Sequence, residues 1–238
     1  NVSQNTNKIE KIPADIPFAG RDLIRLQQGK PLYSYWLYKQ LYVDPQTGDA
    51  VFEDVNKDGK ITADDRQIVG NTWPKFFGGF TNNLSYKNFD LTIFFTYSLG
   101  NEIWNHNRML GETGGTLDAN RVLLASQLDR WTTPGQITDT PRLTADNYSR
   151  QENSRFLEDG SFLRLRSLTL GYTLPKELAN KLRIQKLRAY FTGTNLLLFT
   201  KYTGSDPESN LGTANIQGYD YGTPPQPRTI QFGLNLAL

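Results

Sequence analysis

At 238 residues the chain is long enough for one large domain or two small ones. Its formal net charge of +2, from 26 basic and 24 acidic residues without a Lys/Arg run, gives no footprint for nucleic acid, and the absence of cysteine excludes disulfides and thiolate metal sites. No stretch approaches the roughly 18 consecutive apolar residues of a transmembrane helix, yet the mean hydropathy of −0.54 does not exclude a membrane β-barrel, whose strands meet lipid at alternate residues only.

The apolar core of a signal peptide is missing from "NVSQNTNKIEKI". Residues 12–73 read as a long polar insert. Within it, "DVNKDGKITADD" places Asp54, Asn56 and Asp58 at alternate positions, Gly59 at the sharp turn, Lys60 with a free carbonyl, Thr62 where a direct or water-mediated ligand belongs, and Asp65 at the close. That is the oxygen spacing of a calcium loop. Its flanks read as strands, not as the two helices such a loop usually joins.

Next, "KFFGGFTNNLSY" puts Phe76, Phe80, Leu84 and Tyr86 on one face, and "FDLTIFFTYSL" puts Phe89, Leu91, Ile93, Phe95, Tyr97 and Leu99 on one face. Lys87 and Asn88 join them, so the pair reads as an antiparallel hairpin. Strands this long match the about 9–11 residues that cross a bilayer at a tilt. A soluble sandwich would hide such a face in its own core.

Residues 100–159 read as a second long loop. In it "TLDANRVLLASQLDRW" sets Leu117, Val122, Leu123, Leu128 and Trp131 at helical spacing after Asp118, which predicts a short amphipathic helix. "GSFLRLRSLTLGYTL" is a strand whose apolar phase slips from odd (Leu163, Leu165) to even (Leu168, Leu170, Tyr172); a bulge near Arg166 accounts for the slip. "PKELANKL" is a short connection with one proline-started helical turn. "IQKLRAYFTGTNLLLF" returns as a strand, and "RTIQFGLNLAL" ends the chain with Ile230, Phe232, Leu234, Leu236 and Leu238 on one face.

The connections sort by length. Those at 87–88 and 175–183 are short; those at 12–73, 100–159 and 201–228 are long. Consecutive antiparallel strands put alternate connections at opposite ends, so every long one falls at the same end, as in outer-membrane barrels. Catalysis has little support. His106 is the sole histidine, reads as solvated in "GNEIWNHNRML", and no nucleophile–base set is legible. Glu158 and Asp159 are adjacent, so in a strand they point to opposite faces.

Several phrases then resemble one family. "DVNKDGKITADDRQIVGNTWPKFFGGFTNNLSYKNFDLTIFFTYSLGNEI", "RFLEDGSFLRLRSLTLGYTLPKEL", "LRAYFTGTNLLLFTKYTGSDPE" and "PPQPRTIQFGLNLAL" are similar to the C-terminal region of SusC/RagA-type TonB-linked outer-membrane proteins of the Bacteroidota. The resemblance covers nearly the whole chain. It implies an all-β fold, the C-terminal part of a transmembrane barrel of about 22 strands, with the calcium-like pattern in an outer loop. It gives six strands here: a partial one at 1–11, then about 74–86, 89–99, 160–173, 186–198 and 228–238. Neither a plug nor a TonB-engaging segment is read in these residues. The implied role is import of glycan oligosaccharides or peptides, driven by TonB, with a SusD-like surface lipoprotein capping the barrel, lipid around it and the rest of the barrel beside it. The expected cofactor is one structural Ca²⁺ at Asp54, Asn56, Asp58, Lys60, Thr62 and Asp65. Trp104, Asn105 and Tyr148 are candidate substrate contacts, because sugars stack on aromatics and hydrogen-bond to amides. The family usually ends in Phe where this chain has Leu238. A secreted, calcium-stabilised β-sandwich that binds carbohydrate is the rival reading.

Overall fold

The structure is a computed structural model that describes residues 1–17, 23–113, 123–143, 151–208 and 217–237. In chain order its elements are β1 (Val2–Gln4), β2 (Ile16–Pro17), β3 (Ile24–Leu26), β4 (Ser34–Tyr38), β5 (Gln40–Val43), β6 (Ala50–Phe52), β7 (Arg66–Asn71), β8 (Phe76–Tyr86), β9 (Phe89–Leu99), β10 (Glu102–Asn105), α1 (His106–Thr113), β11 (Leu157–Asp159), β12 (Phe162–Thr173), α2 (Lys176–Lys181), β13 (Lys186–Thr200), β14 (Tyr219–Asp220) and β15 (Thr229–Ala237). Short 3₁₀ turns occur at Ala63–Asp65, Ala125–Asp129 and Ser154–Phe156.

Six strands form one antiparallel sheet in the order β1-β8-β9-β12-β13-β15. β8 and β9 pair from Phe76↔Leu99 to Tyr86↔Phe89, with Lys87 at φ 54° in the tight turn. Against β9 the register shifts between Leu165 and Ser167, so Arg166 is the extra residue of the bulge that the phase slip predicts, while on the other side Asn195 and Leu196 of β13 stand opposite Arg166. Without it, the odd apolar residues before the slip and the even ones after it could not share a face, because side chains alternate with period 2.

Pairing carries apolar rows across the whole sheet. Leu84, Leu91, Leu170, Phe191 and Phe232 lie side by side, as do Tyr86, Phe89, Tyr172, Ala189 and Leu234. Phe80 stacks on Phe95 with ring centroids 4.8 Å apart. Asn82, opposite Ile93, is the polar interruption of this face. On β15 the apolar side chains are bare: Phe232 is 81% exposed and Leu234 72%.

The other face is polar. Asn83, Thr92, Thr169, Thr192 and Gln231 form one transverse row. Thr92 Oγ1 donates to Asn83 Oδ1 at 2.9 Å, and the Thr169 and Thr192 hydroxyls are 3.0 Å apart. One row further, Arg188 Nε donates to Asp90 Oδ1 at 3.0 Å. It reaches Asp90 across Gly171, where a Cβ would lie 2.5 Å from that same oxygen. The ion pair therefore requires glycine between its partners.

The three long connections leave the same end of the sheet and pack into one head. β2-β3-β4-β7, β11-β10-β14 and β5-β6 are its small sheets. Its core joins Leu23, Ile24, Tyr35 and Leu37 from the first connection, Trp104 and Phe156 from the second, and Tyr219 from the third. Tyr35 Oη donates to the Gly218 carbonyl at 2.5 Å. Burial pushes this phenol well above its usual range, so it stays a donor at every physiological pH.

Three expectations change. The opening strand occupies only Val2–Gln4, paired with Phe76–Gly78, and not 1–11. Among the described residues, the helix of the second connection is α1 at His106–Thr113. Of the stretch expected to be helical, Leu117, Asp118 and Val122 lie outside the described residues, while Ala125–Asp129 is a 3₁₀ turn with Leu128 82% exposed. Trp131 leaves the expected apolar face to lie over Gly48 and donates from Nε1 to Pro45 O at 2.9 Å. His106 is half-buried between Tyr219 and Tyr221, at ring distances of 5.1 and 4.9 Å, and not freely solvated.

Candidate functional site

The calcium-like loop links β6 to β7 in the head. Asp54 organises it: Oδ1 accepts from Lys57 N at 2.6 Å and Asp58 N at 3.3 Å, and Oδ2 accepts from Gly59 N at 2.8 Å. Asn56 Oδ1 accepts from Asp58 N, and Asp58 Oδ1 accepts from Lys60 N. Lys57 at φ 61° and Gly59 at φ 79° provide the sharp turns. Asp65 is fully buried and closes the loop through Val55 N at 2.9 Å and Thr62 N at 2.7 Å, in a reciprocal cap with Thr62. The Thr62 N–H, with that of Val55, holds the Asp65 carboxyl below the usual range. Asp54 Oδ2 and Asp58 Oδ1 each accept one backbone N–H and keep a second lone pair, so the donor chemistry suits a hard cation. Among the described residues, however, no three His, Asp or Glu side chains are gathered as a metal shell.

The candidate substrate contacts separate. Trp104 is fully buried and packs edge-on against Phe156 at 5.8 Å, so its ring offers no platform to a sugar. Tyr148 lies outside the described residues. Asn105, only 2% exposed, lies at the wall of a cleft of about 500 Å³ together with Arg108, Glu112, Ser126 and Thr203.

That cleft rests on a charge network hidden from a linear reading. Arg108 bridges Glu112 at 2.9 Å and Glu158 at 3.1 Å. Arg155 pairs with Glu112. Glu158 also accepts from Thr203 N at 2.8 Å and from Asn105 Nδ2 at 3.2 Å. Two cations thus meet two carboxylates, and the cleft is neutral and rich in hydrogen-bonding groups. The one available signal was Arg108 and Glu112 at i, i+4.

A second network sits where the head meets the polar face of the sheet. Arg164 reaches Asp206 and Glu208, each at 2.5 Å, and Arg166 reaches Glu208 at 2.5 Å. "RLR" and "DPE" are two of the phrases that carry the family resemblance, and here they are bonded to each other.

No family model matches the chain. TonB-dependent receptor P3 of Formosa agariphila is 35% identical over 99% of this chain and 26% of the relative. TonB-dependent receptor SusC of Bacteroides thetaiotaomicron is 27% identical over the full chain and 24% of the relative. Among solved structures, the RagAB peptide importer in its "open-open" state aligns with all of this chain and 26% of that one, at a TM-score of 0.82 and 26% identity. The chain therefore spans about a quarter of the length of the relatives it matches. Its register, its two-faced sheet and these likenesses agree: the chain belongs to the SusC/RagA-type TonB-dependent receptors and forms part of their antiparallel β wall.

Proposed function

We propose that the whole protein is an outer-membrane, TonB-dependent importer of glycan oligosaccharides or peptides that works with a SusD-like surface lipoprotein. The observation that carries this reading is the two-faced sheet. One face presents uncovered Phe, Leu and Ile across paired strands, the other presents Thr, Asn, Gln and a bridged Arg–Asp pair, and all long connections gather at one end. Apolar outside and polar inside is the pattern of a barrel wall around a water-filled path. A carbohydrate-binding sandwich is disfavoured: it would bury this apolar face under a second sheet, and among the described residues the head packs its own core instead. The relatives P3 and SusC are receptors by name, and RagAB is a peptide importer by name, which supports transport over catalysis.

In this reading the head is the surface exposed to cargo and lipoprotein, and the cleft beside Asn105 is the contact for polar cargo. Deleting the gene in the producing bacterium should abolish growth on one oligosaccharide or peptide source in a panel, and deleting tonB should have the same effect. Unchanged growth on the whole panel in both strains would reject import.

The reading also assigns one Ca²⁺ to Asp54, Asn56, Asp58 and Asp65 with the Lys60 carbonyl, and Thr62 directly or through water; the spacing and the turn at Gly59 support it. The ion would order the loop. Elemental analysis of the dialysed full-length protein should find one calcium, lost together with loop protease resistance in Asp58→Ala. Equal calcium in both proteins would remove the site.

A further inference from the structure

The bulge does more than correct the apolar phase. Arg164 stands between Thr96 and Leu198 on the polar face. Arg166 is the extra residue against β9, and it shares the Glu208 carboxylate with Arg164. Both guanidinium groups therefore lie on the polar side, while the bulge turns the even residues that follow, Leu168 and Leu170, to the apolar face. Their partners come from a single stretch, "TGSDPE", that follows β13.

This stretch is folded inward over the sheet. Arg164 and Asp206 are only 3% and 2% exposed, so each covers the other. Asp206 Oδ1 accepts from Glu208 N at 2.9 Å, and its Oδ2 accepts from Gln226 N at 3.0 Å, on the returning limb. Ser205 Oγ donates to Thr223 O at 3.1 Å, and Asn195 Nδ2 donates from the wall to Pro227 O at 2.9 Å. At its base, Tyr202 Oη donates to Asp220 Oδ2 at 2.7 Å and Thr203 N donates to Glu158 Oε2 at 2.8 Å, which ties it to the head.

We propose that the two limbs 203–208 and 223–227 form a strap that closes over the lumen side of the wall at its head end, and that Arg164 and Arg166 are the catch that holds it across the solute path. The strap depends on the chain being a barrel wall, as proposed for its function. The fastening is made of charged hydrogen bonds, unlike the aromatic and aliphatic core of the head. A buried ion pair is costly to break when one partner stays behind in a dry site. Lifting the strap frees both partners together, and both return to water. The strap can therefore open as a unit while the head stays folded, in the manner of a local unfolding step.

The test uses the full-length protein in detergent, with Thr96→Cys as reporter. Thr96 flanks Arg164 on the polar face and its buried hydroxyl has no hydrogen-bond partner, so a thiol replaces it without losing a bond. The probe is the negatively charged reagent 2-sulfonatoethyl methanethiosulfonate. Labelling should be slow in the parent and about tenfold faster with Arg166→Gln on the wall or with Glu208→Gln on the strap, and the double variant should be no faster than Glu208→Gln alone, since that change already removes the contact with Arg166 as well as the one with Arg164. Heat-modifiable gel migration verifies that each variant is a folded barrel. Equal labelling in parent and variants would overturn the strap. A double variant as fast as the product of the singles would overturn the catch. If the unsubstituted full-length protein showed no heat-modifiable migration, the barrel reading itself would fall, and the strap with it.

Discussion

At the scale of single residues, burial decides roles that the linear sequence leaves open. Trp104 stands in "GNEIWNHN", a polar run that reads as an exposed aromatic. Phe156 and Tyr219, which enclose it, come from distant parts of the chain, so no local pattern could reveal its burial. Trp104→Ala should cost the head about 3–5 kcal/mol, read as faster hydrogen exchange in β4 with the wall unaffected. Undiminished protection would mean that the head does not depend on this core. Glu102 gives a pH-dependent counterpart. Desolvation raises its carboxyl pKa, only partly offset by the Asn71 N–H that donates to Oε2 at 2.7 Å. A carboxyl with a raised folded pKa binds its proton more tightly in the folded state. Head stability should therefore be fully present below the unfolded carboxylate pKa and decline as pH rises through the folded one. Glu102→Gln should flatten that decline and protect the head at neutral pH; an identical pH profile in the variant would contradict the assignment.

At the scale of elements, the sequence carries most of the wall and little of the head. Period 2 alternation is a local property, so β8, β9, β12, β13 and β15 fall within a few residues of their expected bounds, and the phase slip locates the bulge at Arg166. The head is different. Its strands are two to six residues long, and β10 of the second connection pairs in parallel with β14 of the third. Segments this short show no periodicity, and their partners are set by tertiary packing. The ion-pair clusters at Glu112 and at Arg164 were hidden for the same reason. Two changes test the wall. Ile93→Arg places a charge on the apolar face, at a cost of roughly 2–4 kcal/mol near the bilayer midplane, and should impair folding of the full barrel as read by heat-modifiable migration. Thr92→Arg on the polar face should be milder. Equal damage from both would deny that the faces differ in their surroundings. Deleting Arg166 should be worse than replacing it with Ala, because the deletion moves every residue on one side of the bulge to the opposite face.

At the scale of the molecule, the sheet has two open edges. β1 and β15 end the strand order, and beyond Gly79, which bonds to Asn1, the outer edge of β8 has no paired strand among the described residues. An edge as long and apolar as β15 associates with other chains unless another strand covers it. Residues 1–238 expressed alone should therefore aggregate without detergent, and removing Phe232–Leu238 from the full-length protein should abolish its insertion. Leu238 itself lies outside the described residues. The central claim is that the apolar face of the sheet meets lipid while its polar face meets water. A nitroxide scan along β9 and β15 of the full-length protein in bilayers addresses it most directly, comparing collisions with oxygen and with an aqueous nickel chelate. The account requires period 2 in both probes and opposite phases: oxygen maxima at Leu91, Ile93, Phe95, Phe232 and Leu234, and nickel maxima at Thr92, Gln231 and Asn235. Nickel access to both faces, or the loss of period 2, would contradict it.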